Sequence, residues 1–581
     1  MKQLKPTKIL IALLIATSLL YFKPGIANAT TIYISPTGSD TKSGTQAAPF
    51  KTLFKATSVA QNGDVIHVNA GTYTESKSSY LPVGVSIEGE GVTSIIRASF
   101  STVYQAIIYA QSAEGTNGNQ HISKIKFDGQ KKTSWAVQIQ GRSNFSIYDC
   151  EFINFKQRGI VWGGREDNSD NPPGIYATGN KFYNNIVTNC ASFDGTYGYG
   201  CLNIGGQDGM LIYNNTITTT GSMPGWPIKL WNDGYLKGCK IYDNVLKRPP
   251  FPYQYNGIGN YFDFCIEFFN QQGLEVYGNT IEGSLDLNYQ TKGNYAFSAY
   301  IHDNTFGRDV PAAHCETGIW LEFESEDLII EKNIFKSISQ PIMFSLRPGS
   351  FMNNITIKNN LAYKIGKTDG TKEGAAIGVI VNDESTNYTA NNWKVEGNTF
   401  VALAGNNNPW HGVKLPGGSS SKDVKFINNV LSGFQYQAIT CDYGSHVNGL
   451  QVKDNIIFDG SVINFENGNP ANYSNSNNRA INPQLNSKYI SALGVGYQGD
   501  AAPPPAACTY VYSAWGECIN GQQTRTVISA SPAGCVGTPV LTQSCTLPPP
   551  TTKILLFAIT TYNADGSILS VTKYFNDGSK N

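Results

Sequence analysis

The chain has 581 residues, and 43 Lys and Arg balance 43 Asp and Glu, so its formal net charge is zero. Charged residues make up only 15% of the sequence, which argues against a nucleic-acid partner and against a polybasic membrane-binding surface. The length is sufficient for one long domain with small additional modules.

The first 29 residues have the pattern of a secretory signal peptide. Lys2, Lys5 and Lys8 precede an apolar run over 9–22, and residues 27–29 (Ala-Asn-Ala) form a small-residue cleavage site. This run is too short for a retained membrane span, and no other run reaches membrane length. We therefore expect a secreted or extracellular monomer without a membrane span, with association to the cell surface as an alternative.

Residues 50–60 (FKTLFKATSVA) predict a short amphipathic helix. Phe50, Leu53, Phe54 and Val59 fall near helical spacing. Such a helix can close the open end of a repeat protein, whose terminal repeat must not expose its core. The next strand contains His67, which we interpret as a structural residue.

An asparagine recurs through the middle of the chain, preceded by a small polar residue and followed two residues later by an apolar one. Successive steps are 30, 29, 35, 25, 29, 27, 38, 31 and 26 residues, a period typical of a solenoid. Asparagines at the same turn of each repeat can stack and hydrogen-bond buried backbone. An ordinary all-β domain with Asn-Gly turns predicts no such step. The ten residues are Asn185, Asn215, Asn244, Asn279, Asn304, Asn333, Asn360, Asn398, Asn429 and Asn455.

With these repeats, the stretch over 32–75 (IYISPTGSDTKSGTQAAPFKTLFKATSVAQNGDVIHVNAGTYTE) resembles the opening of secreted right-handed parallel β-helix proteins of the pectate-lyase-like superfamily. The resemblance covers about residues 32–490. It implies an all-β, right-handed parallel β-helix of ten or more three-strand rungs behind an N-terminal capping helix. That superfamily contains lyases, hydrolases, epimerases and phage adhesins, so the resemblance does not select a function.

Short strands in the middle of the chain present one face outward. PIKLW (227–231), CIEFF (265–269), SLDLN (284–288) and GIWLE (318–322) have apolar residues at their second and fourth positions, which point into a core. The alignment predicts an outward middle row of Gln138, Asn203, Lys229, Glu267, Asp286, Trp320 and Met343. Two residues further on it predicts a second row of Trp231, Phe269, Asn288, Glu322 and Ser345. The result is a column of charge flanked by aromatic rings.

Five long insertions interrupt the repeats, over 163–178, 191–200, 247–264, 308–317 and 404–411. We expect each to precede a strand of the charged face and so to form the wall of a groove. Their aromatic residues suit stacking on sugar rings. The alternative is that they are solvent-exposed loops without a function.

The charged column predicts acid–base chemistry on a polysaccharide. Strands of successive rungs lie about 4.8 Å apart, so stacked carboxylates cannot all ionise and at least one should have a raised pKa. Glycoside hydrolysis uses such a pair. We predict Glu322 or Glu267 as the acid, Asp286 as base or nucleophile, and Lys229 as a ligand for a substrate hydroxyl or carboxylate. The predicted substrate-binding residues are Trp226, Trp231, Phe269, Asn288, Trp320, Asn203 and Arg347. In the alternative, Lys229 and Glu267 only neutralise each other.

Two other functions remain open. A lyase acting on a uronate polymer would use Lys229 as base and Arg347 as neutralising group, with calcium between Asp286, Glu267 and Glu322. The dense aspartate cluster typical of calcium-dependent pectate lyases is not visible, so we favour a neutral or mixed glycan and predict no cofactor or metal for a hydrolase. The third function is non-catalytic glycan binding or adhesion.

Cysteine spacing distinguishes the β-helix from a small C-terminal module. Seven cysteines fall within 30–495 at irregular spacing without CxxC, which argues for packing residues rather than zinc ligands and leaves one disulfide between adjacent rungs open. They are Cys150, Cys190, Cys201, Cys239, Cys265, Cys315 and Cys441. A Pro/Ala linker over 496–507 ends the β-helix domain.

The linker leads to the small module over 508–546. Cys508, Cys518, Cys535 and Cys545 predict two disulfides of open pairing in a module too small for a core. Residues 513–518 (SAWGEC) resemble the Trp-Gly-x-Cys element of a thrombospondin type 1 repeat, although only four cysteines are present where six are usual. The resemblance implies that Arg525 stacks on Trp515. After a Pro linker over 547–552, residues 553–581 predict β-strands separated by Asp-Gly turns.

Overall fold

The computed structural model describes residues 29–580 apart from 168–170, 192–198, 221–223, 250–252, 256–257, 261–263, 289–297, 312–315, 369–373, 382–386, 406–408, 410, 435, 460–462, 500–508, 520–521, 532–538, 546–554 and 576–579. The predicted signal peptide up to residue 28, most of both linkers and Cys315 lie outside the described residues. The chain divides into two compact units, Met1–Gly499 and Asp500–Asn581.

The first unit is an all-β parallel β-helix, as predicted. Its strands pair in parallel with the strand one rung before and one rung after, and they form three long faces that we name sheets 1, 2 and 3. Three long strands, Ser86–Ala98, Ala106–Asp128 and Trp135–Tyr148, bend from one sheet into the next. Each turn of the coil therefore contributes one segment to each sheet.

Sheet 1 contains, besides parts of the bent strands, Ser79–Tyr80, Arg158–Gly163, Gly200–Gly205, Trp226–Leu230, Phe264–Phe269, Ser284–Asn288, Thr317–Glu322, Gln340–Leu346, Ile377–Val381, His411–Lys414, Gln437–Cys441 and Ile463–Phe465. Sheet 2 contains Thr31–Ile34, Val65–Val68, Ala177–Thr178, Lys181–Tyr183, Gln207–Asp208, Leu211–Tyr213, Leu236–Lys237, Lys240–Tyr242, Gln271–Tyr277, Ser298–His302, Ser325–Glu331, Phe351–Lys358, Thr389–Glu396, Ser420–Ile427, Val447–Asn448, Gln451–Lys453 and Ser474–Ser476. Sheet 3 contains Gly71–Glu75, Glu151–Ile153, Ile186–Thr188, Thr216–Thr218, Val245–Lys247, Thr280–Glu282, Thr305–Gly307, Ile334–Lys336, Leu361–Ile365, Thr399–Ala402, Val430–Ser432 and Ile456–Phe458. A separate antiparallel pair joins Tyr253–Tyr255 to Ile258–Asn260.

The core is a set of apolar columns along the axis of the coil. Every member of the inward column of sheet 1 is 0% exposed. Full burial of one such side chain stabilises the fold by about 1.5–3 kcal/mol relative to exposure. The column fixes which residues alternate to the outside. Its members, in register from rung to rung, are Ile108, Val137, Ile160, Leu202, Ile228, Ile266, Leu285, Ile319, Ile342, Ile377, Val413 and Ile439.

The predicted asparagine ladder is confirmed at the turn between sheets 2 and 3. Asn304 is representative: its Oδ1 accepts from the backbone N (3.1 Å) and Nδ2 (2.9 Å) of Asn279, and its own Nδ2 donates to Asn333 Oδ1 (3.0 Å). The ladder continues to Asn478, one rung beyond the prediction. The residue before each ladder position is left-handed, for example Asp303 with φ of 53°, which explains the Asn, Asp or Gly found at most of these positions.

A second ladder lies on the outward face of sheet 2 and was not predicted. Six rings stack at centroid separations of 4.9–5.0 Å with interplanar angles of 1–7°. The signal was present in the sequence, because five of the six rings precede a ladder asparagine by two residues. The rings belong to Tyr148, Tyr183, Tyr213, Tyr242, Tyr277 and His302.

The predicted capping helix is present over Leu53–Val59, with Thr52 as N-cap. Leu53 is fully buried. The prediction of its buried face is wrong in part, because Phe54 and Val59 are 38% and 41% exposed. The helix instead buries the small residues Ala56 and Thr57 beside Leu53. The helix contacts strands of the first rung, where a capping element belongs.

The second unit is built from antiparallel strand pairs, Thr509–Tyr512 with Val527–Ser531, Gln522–Thr524 with Thr542–Ser544, and Leu555–Tyr562 with Ile568–Phe575. A disulfide joins Cys518 and Cys545. Cys508 and Cys535 lie outside the described residues, so the second predicted disulfide stays a prediction. The Arg525 guanidinium lies 4.2 Å from the Trp515 ring centroid, as the resemblance implied, and 3.5 Å from that of Tyr512.

The six described cysteines of the β-helix are buried and form no disulfides among the described residues, in keeping with the prediction that they are packing residues. Among the residues that the structure describes, no helix has the length and apolar character needed to cross a membrane.

Candidate functional site

The outward face of sheet 1 carries both predicted rows. The register pairs Asn203 with Lys229, Lys229 with Glu267, Glu267 with Asp286, and Asp286 with Trp320. Phe269, Asn288, Glu322 and Ser345 align in the second row. One rung was missed, since Val161 stands between Gln138 and Asn203 in the middle row.

Four of the five insertions precede strands of sheet 1, as expected. The prediction is wrong for 163–178, which comes after the sheet 1 strand Arg158–Gly163 and leads into the sheet 2 strand Ala177–Thr178. The alignment placed it incorrectly because the repeat containing Val161 was not recognised. This insertion therefore borders the opposite edge of sheet 1.

Lys229 and Glu267 form an ion pair between neighbouring rungs. Lys229 Nζ contacts Glu267 Oε2, and the two side chains are only 17% and 11% exposed. The ammonium group also lies 4.1 Å from the centroid of the Trp226 ring. Burial lowers the pKa of Lys229 from 10.5 to about 7, an effect that the Asp286 carboxyl opposes.

Asp286 is a buried carboxyl next to this pair. It is 1% exposed, and neither carboxyl oxygen has a hydrogen-bond partner among the described residues. Burial raises the pKa of Asp286 well above its usual value; the nearby Glu322 carboxyl adds to the increase and Lys229 opposes it. Burial therefore favours the protonated form of this carboxyl.

Glu322 lies diagonally across the rungs from Asp286 and remains partly exposed. Burial raises its pKa, while Asn288 Nδ2, which donates to Glu322 Oε2 at 2.7 Å, acts in the opposite direction. Asn288 is 3% exposed and fixes the orientation of this carboxylate. The two carboxyls thus have different surroundings: one is unpartnered and buried, the other hydrogen-bonded and accessible.

Aromatic rings flank the carboxyl groups. Trp320 and Phe269 are partly exposed on the outward face, and the ring of Phe264 meets Trp320 edge-on at 5.9 Å. These rings offer apolar surfaces for a sugar. Trp231 lies just beyond its strand, and its ring packs edge-on against Trp135 at 6.0 Å, toward the N-terminal rungs.

Three predicted substrate-binding residues have structural contacts instead. Asn203 is 1% exposed and donates to the backbone oxygens of Ile160 and Gly200. Arg347 binds both carboxylate oxygens of Glu324 at 3.0 and 3.1 Å. Trp226 is 2% exposed and lies beneath Lys229 rather than on the surface. The alternation of residues along a strand predicts which side chains point outward from sheet 1. It does not predict whether a neighbouring residue covers an outward side chain.

Two arginines of this region were missed. The Arg158 guanidinium lies 4.3 Å from the Tyr199 ring and 5.1 Å from the Trp231 ring, and it pairs in register with Trp135. The strand pattern RGIVW carried this signal. Arg248 is 2% exposed and donates to the backbone oxygen of Pro224 at 2.9 Å. It lies within an insertion, where no repeat pattern could place it.

The lyase alternative places calcium between Asp286, Glu267 and Glu322. Across the part of the chain that the structure describes, no group of three His, Cys, Asp or Glu side chains converges as metal ligands would. Glu267 binds Lys229, and burial favours the protonated form of Asp286.

Known proteins share this fold. A family model described as a protein of unknown function (DUF1565) matches residues 36–298, which include Lys229, Glu267 and Asp286 but not Glu322. A pectate lyase of Emericella nidulans, PEL9, is 26% identical over 157 residues, which are 21% of this chain and 38% of that protein. The chain thus spans about two fifths of the length of this relative.

Solved structures show the likeness of fold over a longer span. The tailspike protein of E. coli bacteriophage HK620 in complex with a pentasaccharide superposes with a TM-score of 0.52 at 12% identity, covering 72% of this chain and 75% of that chain. The catalytic domain of Agl-KA gives a TM-score of 0.44 at 16% identity and covers 59% of this chain and 60% of that chain. The fold and these similarities together are those of a parallel β-helix protein.

Proposed function

We propose that the protein is a glycoside hydrolase that cleaves a polysaccharide bound along the outward face of sheet 1. The observation that supports this most strongly is the pair of carboxyls, Asp286 and Glu322, which point to the outward side of sheet 1 and whose pKa values are both raised. Hydrolysis of a glycosidic bond needs one protonated and one ionised carboxyl on either side of the reacting carbon. The different surroundings of these two residues can supply both forms.

Asp286, predicted from the sequence as base or nucleophile, is instead the general acid in this mechanism, because burial raises its pKa. Its proton passes to the glycosidic oxygen as the bond from that oxygen to the anomeric carbon breaks. Glu322, held by the Asn288 amide, acts on the opposite side as base for the attacking water or as nucleophile. Because Asp286 is 1% exposed, side chains around it must shift when substrate binds, and burial keeps it protonated until then.

The other residues of the face position the sugar. The Lys229–Glu267 pair presents a cation and an anion side by side, which suits hydroxyl groups rather than a single anionic substituent. Trp320 and Phe269 stack on the apolar faces of the rings. These features favour a neutral or mixed glycan. We further propose that the protein acts outside the cell, in keeping with the signal-like pattern of residues 1–29.

A product assay tests the hydrolase proposal. The whole protein is incubated with a panel of polysaccharides, beside Asp286→Asn, Glu322→Gln and the control Asp454→Asn, whose native side chain is exposed at the turn between sheets 2 and 3. We expect new reducing ends without ultraviolet-absorbing unsaturated ends, reduced by about 10²-fold or more in the two site variants and unchanged in the control. Full activity in Asp286→Asn would rule out its role as the acid.

One observation favours β-elimination as a second candidate. The pKa of Lys229, lowered to about 7, would allow a neutral amine to remove a proton at neutral pH. Unsaturated ends that form in the presence of a chelator and disappear in Lys229→Met would establish the lyase. Retained glycan binding without any product would leave a binding protein.

A further inference from the structure

A second site lies on the same face, nearer the C-terminal end of the β-helix. It is a cavity of about 470 Å³ on the outward side of sheet 1. Ile377 pairs with Val413, so Lys414 follows Gly378 in the middle row, four rungs beyond Asp286. At about 4.8 Å per rung the two places are roughly 19 Å apart. The residues that matter most among its lining are Tyr388, His411, Lys414, Asp442, Tyr443 and Glu466.

Polar atoms without a well-formed hydrogen bond lie in the cavity wall and next to it. His411 lines the cavity, and its Nδ1 has no such bond among the described residues, although the Gln437 side chain lies close to the imidazole. Thr440 Oγ1, beside the wall, has no partner among the described residues either. Thr440 is 1% exposed and pairs in register with Lys414 on the outward row. Unsatisfied buried polar atoms cost stability unless a ligand or water completes them. Their presence at a cavity points to a polar ligand.

The charged groups of the cavity favour an uncharged ligand. Lys414 Nζ lies 2.6 Å from Asp442 Oδ2, so the single ammonium group is already paired. Glu466 is exposed at the rim and adds a second carboxylate. Burial and the nearby Lys414 lower the pKa of His411, which leaves the imidazole neutral at neutral pH. One cation against two carboxylates repels an anionic ligand but offers donors and acceptors to hydroxyl groups.

The aromatic groups are fixed in place. The Tyr443 ring stacks on His446 with centroids 5.5 Å apart and an interplanar angle of 10°, while remaining partly exposed. The Tyr388 hydroxyl accepts from the Gly417 backbone N at 2.7 Å and is held rigidly. The rigid Tyr443 ring can stack on the apolar face of a sugar, and the neighbouring carboxylates of Asp442 and Glu466 can accept hydrogen bonds from its hydroxyl groups.

We propose that this cavity is a distal glycan-binding site that takes one end of a neutral oligosaccharide, recognised by Asp442, Glu466 and His411 and stacked on Tyr443. The site goes beyond the proposed function, because binding here requires no turnover at Asp286. It gives the face of sheet 1 two points of attachment for a long chain.

Calorimetric titration of the whole protein tests the proposal. The probes are the neutral cellohexaose, xylohexaose and maltohexaose and the anionic hexagalacturonate, titrated into the Asp286→Asn form so that no probe is cleaved. We expect at least one neutral probe to bind with a Kd of about 1 mM or tighter, and hexagalacturonate at least about tenfold more weakly. No saturable binding of any neutral probe, or tighter binding of hexagalacturonate, would overturn the proposal.

Variants locate the binding. Asp442→Asn and Tyr443→Ala, each in the Asp286→Asn form, should weaken binding of the neutral probe by about tenfold or more. Asp454→Asn, at an exposed position of the turn between sheets 2 and 3, should leave binding unchanged. Glu466→Gln, at an exposed position, replaces either variant that does not fold. Wild-type affinity in all folded cavity variants would contradict the assignment. The Asp442→Asn variant with an intact Asp286 should still cleave short substrates, whereas Asp286→Asn should not. Loss of cleavage in Asp286→Asn alone therefore tests the proposed hydrolase, and loss of binding in Asp442→Asn tests the distal site.

Discussion

Asp286 and Lys229 lie in the same row of sheet 1, and burial moves their pKa values toward each other. Asp286 is pushed toward its neutral acid form and Lys229 toward its neutral amine form. Glu267 contacts Lys229, and the Asn288 amide contacts Glu322. The four ionisable side chains of the face, those of Lys229, Glu267, Asp286 and Glu322, therefore have different electrostatic surroundings. Such differences between neighbours are what assign acid and base roles within one cluster.

The Asp286→Asn substitution should separate stability from activity. In the folded state the raised pKa means that Asp286 binds its proton more tightly than in the unfolded chain, so its contribution to stability is lost as pH rises from about 4 through the raised pKa. Asparagine does not titrate. We expect Asp286→Asn to lose turnover while its free energy of unfolding at pH 7 is higher by about 1–3 kcal/mol, with little difference near pH 3.

Chemical denaturation at these two pH values measures the effect. Asp309→Asn serves as the control, since its native carboxylate is exposed. A variant that is destabilised at pH 7 would show that Asp286 has a stabilising partner and is ionised in the folded protein.

For Lys229 we expect the opposite effect of pH on the free energy of unfolding, in the alkaline range. Its folded pKa of about 7 lies below the ordinary 10.5, so between these values the unfolded chain binds more protons and the free energy of unfolding rises with pH. The increase is at most about 1.4 kcal/mol per pH unit. Urea denaturation at pH 7, 8, 9 and 10 should show this slope in the wild type and a smaller slope in Lys229→Met. Equal slopes would mean that Glu267 keeps the lysine charged throughout.

Among the elements, the turn between sheets 2 and 3 is the most regular. Each ladder asparagine is preceded by a left-handed residue and bonds to the next rung at about the same distances. The side chain replaces backbone hydrogen bonds that the turn cannot make. Regularity of this turn keeps the rungs of sheet 1 in register, and therefore keeps Lys229, Glu267 and Asp286 stacked.

Removal of one ladder side chain should be costly. Asn304→Ala removes a buried acceptor of two N–H groups and a donor to the next rung, leaving several buried groups unsatisfied. At about 1–3 kcal/mol for each, the free energy of unfolding should fall by about 3 kcal/mol or more. Asn478→Ala, at the partly exposed last position of the ladder, should cost about 1 kcal/mol or less. Similar losses in both variants would contradict the role of burial.

Sequence alone predicted the elements better than the site. The asparagine steps and the apolar alternation were sufficient to predict the fold, the ladder and the order Lys229, Glu267, Asp286 in one row, because both patterns are local and repeat. The contacts of Asn203 and Arg347 could not be predicted from the sequence. Asn203 donates to a backbone oxygen and Arg347 binds Glu324, and neither partner lies at a spacing that the sequence repeat specifies. The cavity at His411 was missed for the same reason.

At the scale of the molecule, the chain is one long coil followed by a separate small unit. In a solenoid each rung contacts only its neighbours, so we expect the coil to be stabilised by its own contacts. The small unit has its own disulfide, Cys518–Cys545, and its own stack of Arg525 on Trp515. It contains the parts expected of a module that folds by itself.

A chain that ends at residue 499 tests this independence. We expect its thermal unfolding midpoint to lie within a few degrees of that of the full chain, with unchanged turnover of soluble oligosaccharides. Differential scanning calorimetry and the product assay provide the two measurements. A strongly lowered midpoint would show that residues 500–581 cover part of the coil.

Spacing between ladder asparagines varies from 23 to 38 residues although the ladder itself is unbroken. Extra residues accumulate mainly in the loops that lead from sheet 3 into sheet 1, while the turn between sheets 2 and 3 stays constant. Natural variation can therefore lengthen, shorten or exchange the loops beside the groove without disturbing the scaffold. A protein built this way can acquire a new specificity by exchange of loops, and laboratory recombination of groove loops between related coils should follow the same rule.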